Sequence, residues 1–319
     1  MKNLLFEDDI NPASEEYPFL SHSTVSLTYP AHFHREAELI HILEGSLTVS
    51  NESGSFRLSQ GDFCLFLPGE IHSLLTETEN RVCLMKLFVP ASCQGLSGLR
   101  LRCNAIPPAS ADYLSISEIF SCILREDAER RSGYQAAVAL QVIRLFLLVM
   151  RAFDTRPIRP EEQARRKDGA ALLHAVRRYL DDHYQEDLTL DQVAVHCGYS
   201  KYYFSHRFRE TSAMRFMDYF TLYRLQRAAS ALAFSSEKVI DIAYGAGFRN
   251  IRSFNRMFQK YFHLTPSAYR TRAHSGQTDD WRFYDPILKR NSGKVAGSEN
   301  APSKDVYKRQ AQERRERFP

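Results

Sequence analysis

One pattern occurs twice between about Thr189 and Arg270, and it constrains the fold more than any other stretch. The first copy runs Thr189-Leu190-Asp191-Gln192-Val193-Ala194-Val195-His196, then Cys197-Gly198-Tyr199-Ser200, then Lys201 to Arg209. The second runs Val239-Ile240-Asp241-Ile242-Ala243-Tyr244, then Gly245-Ala246-Gly247-Phe248, then Asn250 to Phe262. Each reads as short helix, glycine turn, second helix. Thr189 with Gln192 three residues on fits a capping box, and Ser200 and Asn250 are good N-caps. Gly198 and Gly247 stand where the chain must turn tightly. Phe204 and Phe208, and then Phe254, Phe258 and Phe262, recur one helical turn apart and are expected to face a core. The opposite faces carry Lys201, Tyr202, Ser205, His206 and Arg209, and Ile251, Arg252, Asn255, Arg256 and Gln259. Polar outer faces of this kind suit reading of a DNA major groove. A single copy would fit an ordinary helical bundle as well; two copies favour a double DNA-binding unit.

Charge is spread to match. Residues 1–168 carry 17 Lys+Arg against 22 Asp+Glu, a net of −5, whereas residues 169–272 carry 15 against 9, a net of +6. An acidic front half and a basic back half fit a sensor joined to a polyanion binder. Met1 to Ile10 show no cationic apolar leader. The longest apolar run, Val142 to Met150, is interrupted by Arg144 and too short to span a bilayer, so no membrane partner is expected. Cys64, Cys83, Cys93, Cys103, Cys122 and Cys197 form no CxxC pair and read as reduced packing residues in the cytoplasm.

Taken in order, residues 1–23 are polar and irregular. From Thr24 to Leu87, short alternating runs broken by turns suggest a small barrel or sandwich, with Asn51-Glu52-Ser53-Gly54 as a hairpin turn. Within it lie His32-Phe33-His34, Glu38 and Gly45, then Gly61-Asp62 and Pro68-Gly69-Glu70-Ile71-His72. These resemble the paired motifs of the cupin fold. In metal-dependent cupins the matching positions would make His32, His34, Glu38 and His72 ligands of Fe, Mn, Zn or Ni. The same four residues equally suit a metal-free effector pocket, which we take as the leading expectation, or a structural hydrogen-bonded cluster. No cofactor is required by the pattern. Tyr29, Phe33 and Phe66 could stack on a flat or sugar-like ligand, or be core.

From Ala111 the period turns helical, with one stripe through Tyr113, Ile116, Phe120 and Leu124 and a second from Ala137 to Leu148. An αα-hairpin over residues 111–153 is expected, with homodimerisation through its free face. Residues 154–168, with Arg156-Pro157, Arg159-Pro160 and a charged run, read as a linker. A helix then runs from about Gly169 to Tyr184. Another, Met214 to Phe234, acts as a strut: roughly twenty residues make about 30 Å, close to the roughly 34 Å between successive major grooves. Thr265-Pro266 opens a last helix. Residues 273–319 are expected to be a disordered tail. Asp305-Val306-Tyr307-Lys308-Arg309-Gln310 resembles the translation of a sequencing-library adaptor, so the end of the chain is expected to be extraneous.

Residues 170–272 resemble the DNA-binding domain of the AraC/XylS family of bacterial transcription regulators. The resemblance rests on Ile242-Ala243, Gly247-Phe248, Phe254, Arg256, Phe258, Lys260, Thr265-Pro266 and Tyr269-Arg270. Residues 24–87 resemble that family's cupin-like sensor. Ala213 and His263 depart from the pattern, standing where glycines are usual. The resemblance implies an α+β chain: an N-terminal cupin-like β-barrel (1–110), a helical hairpin, and a C-terminal all-α domain with two helix-turn-helix units (169–272). It implies base contacts by Tyr202, Ser205 and His206 from the first reading helix and by Ile251, Arg252, Asn255 and Arg256 from the second. Phosphate partners are expected at Lys201, Arg207, Arg209, Arg249 and Lys260. It implies a non-enzymatic activator of double-stranded promoter DNA that works with RNA polymerase and responds to a small-molecule effector, a carbohydrate first. The alternative is a metal-dependent cupin enzyme fused to a DNA-binding domain.

Overall fold

The alternating runs of the first hundred residues form strands because every second side chain is apolar and can be buried on one face. The computed structural model describes residues 19–274, which fall within one compact unit. A five-stranded antiparallel sheet has the order β1 (Phe19–Val25), β8 (Arg81–Leu87), β3 (Ala37–Glu44), β6 (Phe63–Phe66), β10 (Ala105–Ile106). A four-stranded sheet has the order β2 (Tyr29–His32), β7 (His72–Thr76), β4 (Ser46–Asn51), β5 (Gly54–Ser59). Ile40, Ile42, Cys64, Phe66, Val82 and Leu84 of the first sheet meet Leu47, Val49, Leu58 and Leu74 of the second in a dry core. The expected barrel or sandwich is thus a two-sheet β domain. β1 begins at Phe19, inside the stretch read as irregular.

The alternate residues of the five-stranded sheet face outward. Leu39, Phe63, Leu65 and Met85 pack under α1 (Tyr113–Glu129) and α2 (Tyr134–Ala152), with Ile116, Phe120, Val142 and Phe146 filling the contact. The hairpin turns through Arg130 and Gly133, both at positive φ. α2 is long and apolar enough, by length and composition, to cross a membrane. Its Val138, Val142, Leu145, Phe146 and Val149 are buried against the sheet side, while Leu140, Leu147 and Met150 are exposed.

The linker expected over residues 154–168 is not one. β11 (Thr155–Pro157) pairs with β9 (Leu99–Leu101), and α3 runs from Pro160 to His183 (Pro160–His183), nine residues ahead of its expected start at Gly169. Pro160 is the first helical residue, where its missing N–H costs nothing. Glu162 closes the first turn by accepting the Arg159 N–H at 3.1 Å, and its carboxylate also takes bonds from Arg156 at 2.7 Å. The charged run is therefore the first two turns of a helix, with Glu162 and Arg166 buried in ion pairs and Glu161, Arg165 and Lys167 exposed.

The C-terminal half is helical: α4 (Leu190–His196), α5 (Lys201–Ser212), α6 (Phe216–Phe234), α7 (Val239–Gly245), α8 (Ile251–Phe262) and α9 (Pro266–His274). α3 to α6 surround one aromatic core, with Phe204, Phe208, Phe216 and Tyr219 at its centre. The last third of α6 with α7 to α9 surrounds a second, built on Phe254, Phe258 and Phe262. Of the tail expected at residues 273–319, Ala273 and His274 end α9, and residues 275–319 lie outside the described residues, as does the adaptor-like string.

Candidate nucleic-acid interface and sensor site

Each reading helix is fixed by a capped turn. The Thr189 hydroxyl accepts from Gln192 N–H while the Gln192 side chain returns to Thr189 N–H at 2.8 Å, so α4 starts there. Ser200 caps α5, and Asn250 caps α8 by accepting Ser253 N–H at 2.7 Å. Gly198 and Gly247 both lie at positive φ, +77° and +83°. The two turns differ by one residue. Gly198 is followed by Tyr199 and the cap Ser200, whereas Gly247 is followed by Phe248, Arg249 and the cap Asn250. The extra residue, Arg249, pairs with Asp187 of the first unit. Gln185 donates to Gly245 O at 2.7 Å, and Arg224 donates to Tyr184 O and Glu186 O at 2.6 Å each. The loop 184–187 thereby joins the two units and sets their relative placement.

The two outer faces match at a spacing of fifty residues, Tyr202 with Arg252, Ser205 with Asn255 and His206 with Arg256. All six side chains are exposed, Tyr202 to 87%. Ile251 is half-buried against the second core rather than beside them. Lys201, Arg209, Arg249 and Lys260 are exposed near the same faces, with Lys201 paired to Asp191 at 2.7 Å. Arg207 sits elsewhere. At about 100° per residue it lies well over a quarter-turn from the reading face, it is only 24% exposed, and it lines a cavity against the β domain.

The other expected site also assembles. Glu38 lies on β3 in step with Ile40, so it points between the sheets. His32 on β2 is the register partner of His72 on β7. The ligand atoms of His32, His34, Glu38 and His72 lie within 4.8 Å of one another, and all four residues are buried. His72 Nε2 is 3.0 Å from Glu38 Oε2, and His34 Nε2 is 3.7 Å from Glu38 Oε1. Phe66 stacks on His72 with ring centroids 3.9 Å apart. Burial pushes the Glu38 carboxyl up, but the hydrogen bonds and charges of His34 and His72 outweigh it and hold the group well below the usual carboxylate range. Glu70 is the reverse case. Burial raises its carboxyl, although Asn51 and Asn104 hydrogen-bond it.

The strands that carry these histidines also carry the contact with the DNA-binding half. Ala31 and Ile71 belong to the same buried cluster as Leu172, Phe204, Phe208 and Tyr219, and Phe33 packs against it. Their neighbours His32, His34 and His72 turn the other way, into the quartet. Thr28 donates to Tyr261 O at 2.7 Å and His263 bonds Thr76 O at 3.1 Å, so the β domain touches both helix-turn-helix units. A cavity of about 390 Å³ lies beside this contact, lined by residues including Glu52, His72, Arg100, Arg166 and Arg207. Arg166 and Glu52 pair across its wall at 2.7 Å. None of these inter-half contacts is foreseen from the sequence, because pairings between distant positions leave no local pattern.

Two exposed reading helices on one frame, beside a double-sheeted domain with a histidine-lined interior, define a helix-turn-helix DNA-binding protein with an attached ligand-binding domain. The comparisons with known proteins agree. Residues 21–146 match the AraC-like ligand binding domain, and residues 193–272 match a helix-turn-helix domain. The regulatory protein SoxS of Escherichia coli (strain K12) is 36% identical over 94 residues, 30% of this chain and 88% of SoxS. The HTH-type transcriptional regulator YijO of the same strain is 37% identical over 109 residues, 34% of this chain and 38% of YijO. The match thus spans well under half the length of YijO. The crystal structure of ToxT from Vibrio cholerae O395 aligns over 80% of this chain and 97% of its own, at 12% identity and a TM-score of 0.46. The chain belongs to the AraC family of helix-turn-helix transcription regulators and carries that family's N-terminal ligand-binding domain. This is a family of regulators and not of enzymes, which displaces the cupin-enzyme alternative.

Proposed function

We propose that this chain is a cytoplasmic activator of promoter DNA that reads two successive major grooves with α5 and α8 and takes its signal from the β domain. The observation that carries the reading is the matched pair of exposed faces, held at a set spacing by Arg224, Gln185 and Arg249. Arg252 and Arg256 read guanine by paired hydrogen bonds, and Asn255 reads adenine. Tyr202, Ser205 and His206 form a face poorer in arginine, so the half-site under α8 carries the tighter base specificity. Lys201, Arg209, Arg249 and Lys260 exchange their present surroundings for phosphates. The exposed Leu114, Leu140, Leu147 and Met150 of the helical hairpin support homodimerisation there, leaving RNA polymerase to be met by the DNA-bound dimer.

The effector is a polar small molecule, and sugars are the first class to try. The four ligand atoms of the histidine–glutamate quartet crowd within 4.8 Å, a space for an ion and not for a sugar ring. The neighbouring cavity of about 390 Å³ has the volume of a small-ligand pocket, and of the quartet only His72 lines it. A ligand there shifts an equilibrium between docked and released helix-turn-helix units by preferring one of them. The test is binding of the protein to its own upstream DNA, across salt and against a sugar panel. Steep salt dependence with an affinity or footprint changed by one sugar supports the reading. Absence of any specific site refutes it.

A further inference from the structure

The cavity beside the β domain carries more positive charge than its own carboxylates match. Its walls come from three elements, with Arg100 on β9, Arg165 and Arg166 on α3, and Arg207 on α5. The walls meet closely at Gly169 of α3, where an added Cβ would stand 3.0 Å from Ile71 Cδ1 and 3.1 Å from Thr211 Cγ2. Glu52, Glu162 and Glu210 share the lining. Glu162 is already met from outside the cavity, by Arg156 with two bonds of 2.7 Å and by Arg159 at 3.1 Å. Four guanidiniums are thus left to two carboxylates, Glu52 and Glu210. Those two do not use the donors at hand. Arg166, 8% exposed, donates to Glu52 through Nε at 2.7 and 2.9 Å, and its buried Nη2 has no hydrogen-bond partner among the described residues. Arg207 reaches Glu210 only at 3.5 Å. Arg165 is exposed and forms no ion pair among the described residues. A buried charged donor without an acceptor is unfavourable, and an anion in the cavity would relieve it.

We propose that this cavity binds a phosphorylated sugar, its phosphate held by Arg166 and Arg207 with Arg165 at the solvent side. The proposal rests on the reading of the cavity as the effector pocket and narrows the sugar class given there. A phosphate ester carries a charge of about −1.5 to −2 at neutral pH and three strong acceptor oxygens, close to the surplus of two guanidiniums. The planar fork of arginine matches phosphate oxygens two at a time, which a neutral sugar hydroxyl does not exploit. The rest of the lining suits a sugar body. Ser50, Asn51, Ser73 and Thr211 bring hydroxyl and amide groups, whereas Ala31, Ile71 and Ala213 supply its only apolar side chains among the described residues. An acyl tail would find too little carbon there. The volume of about 390 Å³ holds a compact polar molecule. α5 also carries Tyr202, Ser205 and His206, so a ligand held by Arg207 biases the placement of the first reading helix.

The test is isothermal titration calorimetry of the full chain against hexose and pentose monophosphates, their parent sugars and inorganic phosphate. One monophosphate should bind at least about 100-fold more tightly than its parent sugar, because charge-assisted hydrogen bonds are the strong ones. Inorganic phosphate should bind more weakly and compete with it. Arg166→Gln and Arg207→Gln should each weaken both ligands about 10- to 100-fold, the loss expected for a hydrogen bond to a charged group. Arg151→Gln, at an exposed position on α2, should change nothing. The ester should alter DNA affinity, and DNA should alter ester affinity by the same factor. Melting curves and DNA binding show that the variants are folded. Absence of phosphate binding, phosphate binding that survives in the folded Arg166→Gln and Arg207→Gln variants, or a parent sugar that binds as tightly as its ester overturns the proposal. In that case a neutral sugar that still shifts the DNA footprint leaves the effector reading intact, whereas specific DNA binding that no member of the panel changes removes the sugar reading as well.

Discussion

Replacing Gly247 by alanine should damage the protein far more than replacing Gly198, although both glycines close the same turn. Both lie at positive φ, so either alanine pays the left-handed strain of about 1–2 kcal/mol. The stiffer unfolded chain returns about 0.4–1 kcal/mol of that. A Cβ at Gly198 meets nothing within 4 Å, so its net cost stays near 1 kcal/mol or below. A Cβ at Gly247 would stand 2.8 Å from Tyr184 O and 2.9 Å from Arg224 Nε. Arg224 then has to move, and it gives up its bonds to Tyr184 O and Glu186 O. Bonds from a charged donor are worth about 1.5–3 kcal/mol each, which brings Gly247→Ala to about 3 kcal/mol or more. At roughly 2–4 °C per kcal/mol, thermal denaturation followed by circular dichroism should fall about 10 °C for Gly247→Ala and about 2 °C for Gly198→Ala. Amide exchange should quicken first in α7 and α8. Equal losses, or a larger loss at Gly198, would refute the argument that Gly247 is the joint between the two units.

Further outcomes follow from the same geometry. Arg252→Ala should cost about 1–3 kcal/mol and relax specificity at one base position, whereas Lys201→Ala or Lys260→Ala should weaken all sequences alike and reduce the salt slope by about 1. Arg207→Ala should leave that slope unchanged, because Arg207 faces the cavity. Ala213→Gly should raise stability by about 0.5–1 kcal/mol, since Ala213 sits at φ +57°, a conformation that strains an L side chain and not glycine; His263→Gly relieves the same conformation but gives up the bond to Thr76 O, so its gain should be smaller in a melting curve. Hydrogen bonds from Arg156 and Arg159 hold the Glu162 carboxyl well below its ordinary range, so its stabilising effect is complete above about pH 4 and is lost only as pH falls through the lower folded value. Melting temperatures of the native chain and Glu162→Gln should differ at neutral pH and converge in strong acid.

The parts legible in the sequence are those encoded locally. Caps at Thr189, Ser200 and Asn250 and phenylalanines one turn apart announce both helix-turn-helix units, and all five of those phenylalanines are buried. The quartet was legible because His32, at the end of β2, and His34, two residues on, stand close in sequence to Glu38 and the second motif supplies His72. What was illegible depends on distant partners. The linker reading failed because Pro160 and a charged run look like a break until Glu162 is seen with Arg100, Arg156 and Arg159 around it. The docking of the β domain on both units joins positions as far apart as Thr28 and Tyr261, and Arg166 and Glu52, where no periodicity reaches. The position of Arg207, on a helix face that lines the cavity beside the β domain, was illegible for the same reason.

The central claim is that one chain lays two reading helices into successive grooves, and a hydroxyl-radical footprint on its own upstream DNA tests it most directly. The account expects two protected patches on one face of the duplex, about 34 Å or one helical turn apart. Arg252→Ala with Arg256→Ala should erase one patch, and Tyr202→Ala with His206→Ala the other. A single patch, or loss of both patches from either pair, would contradict it.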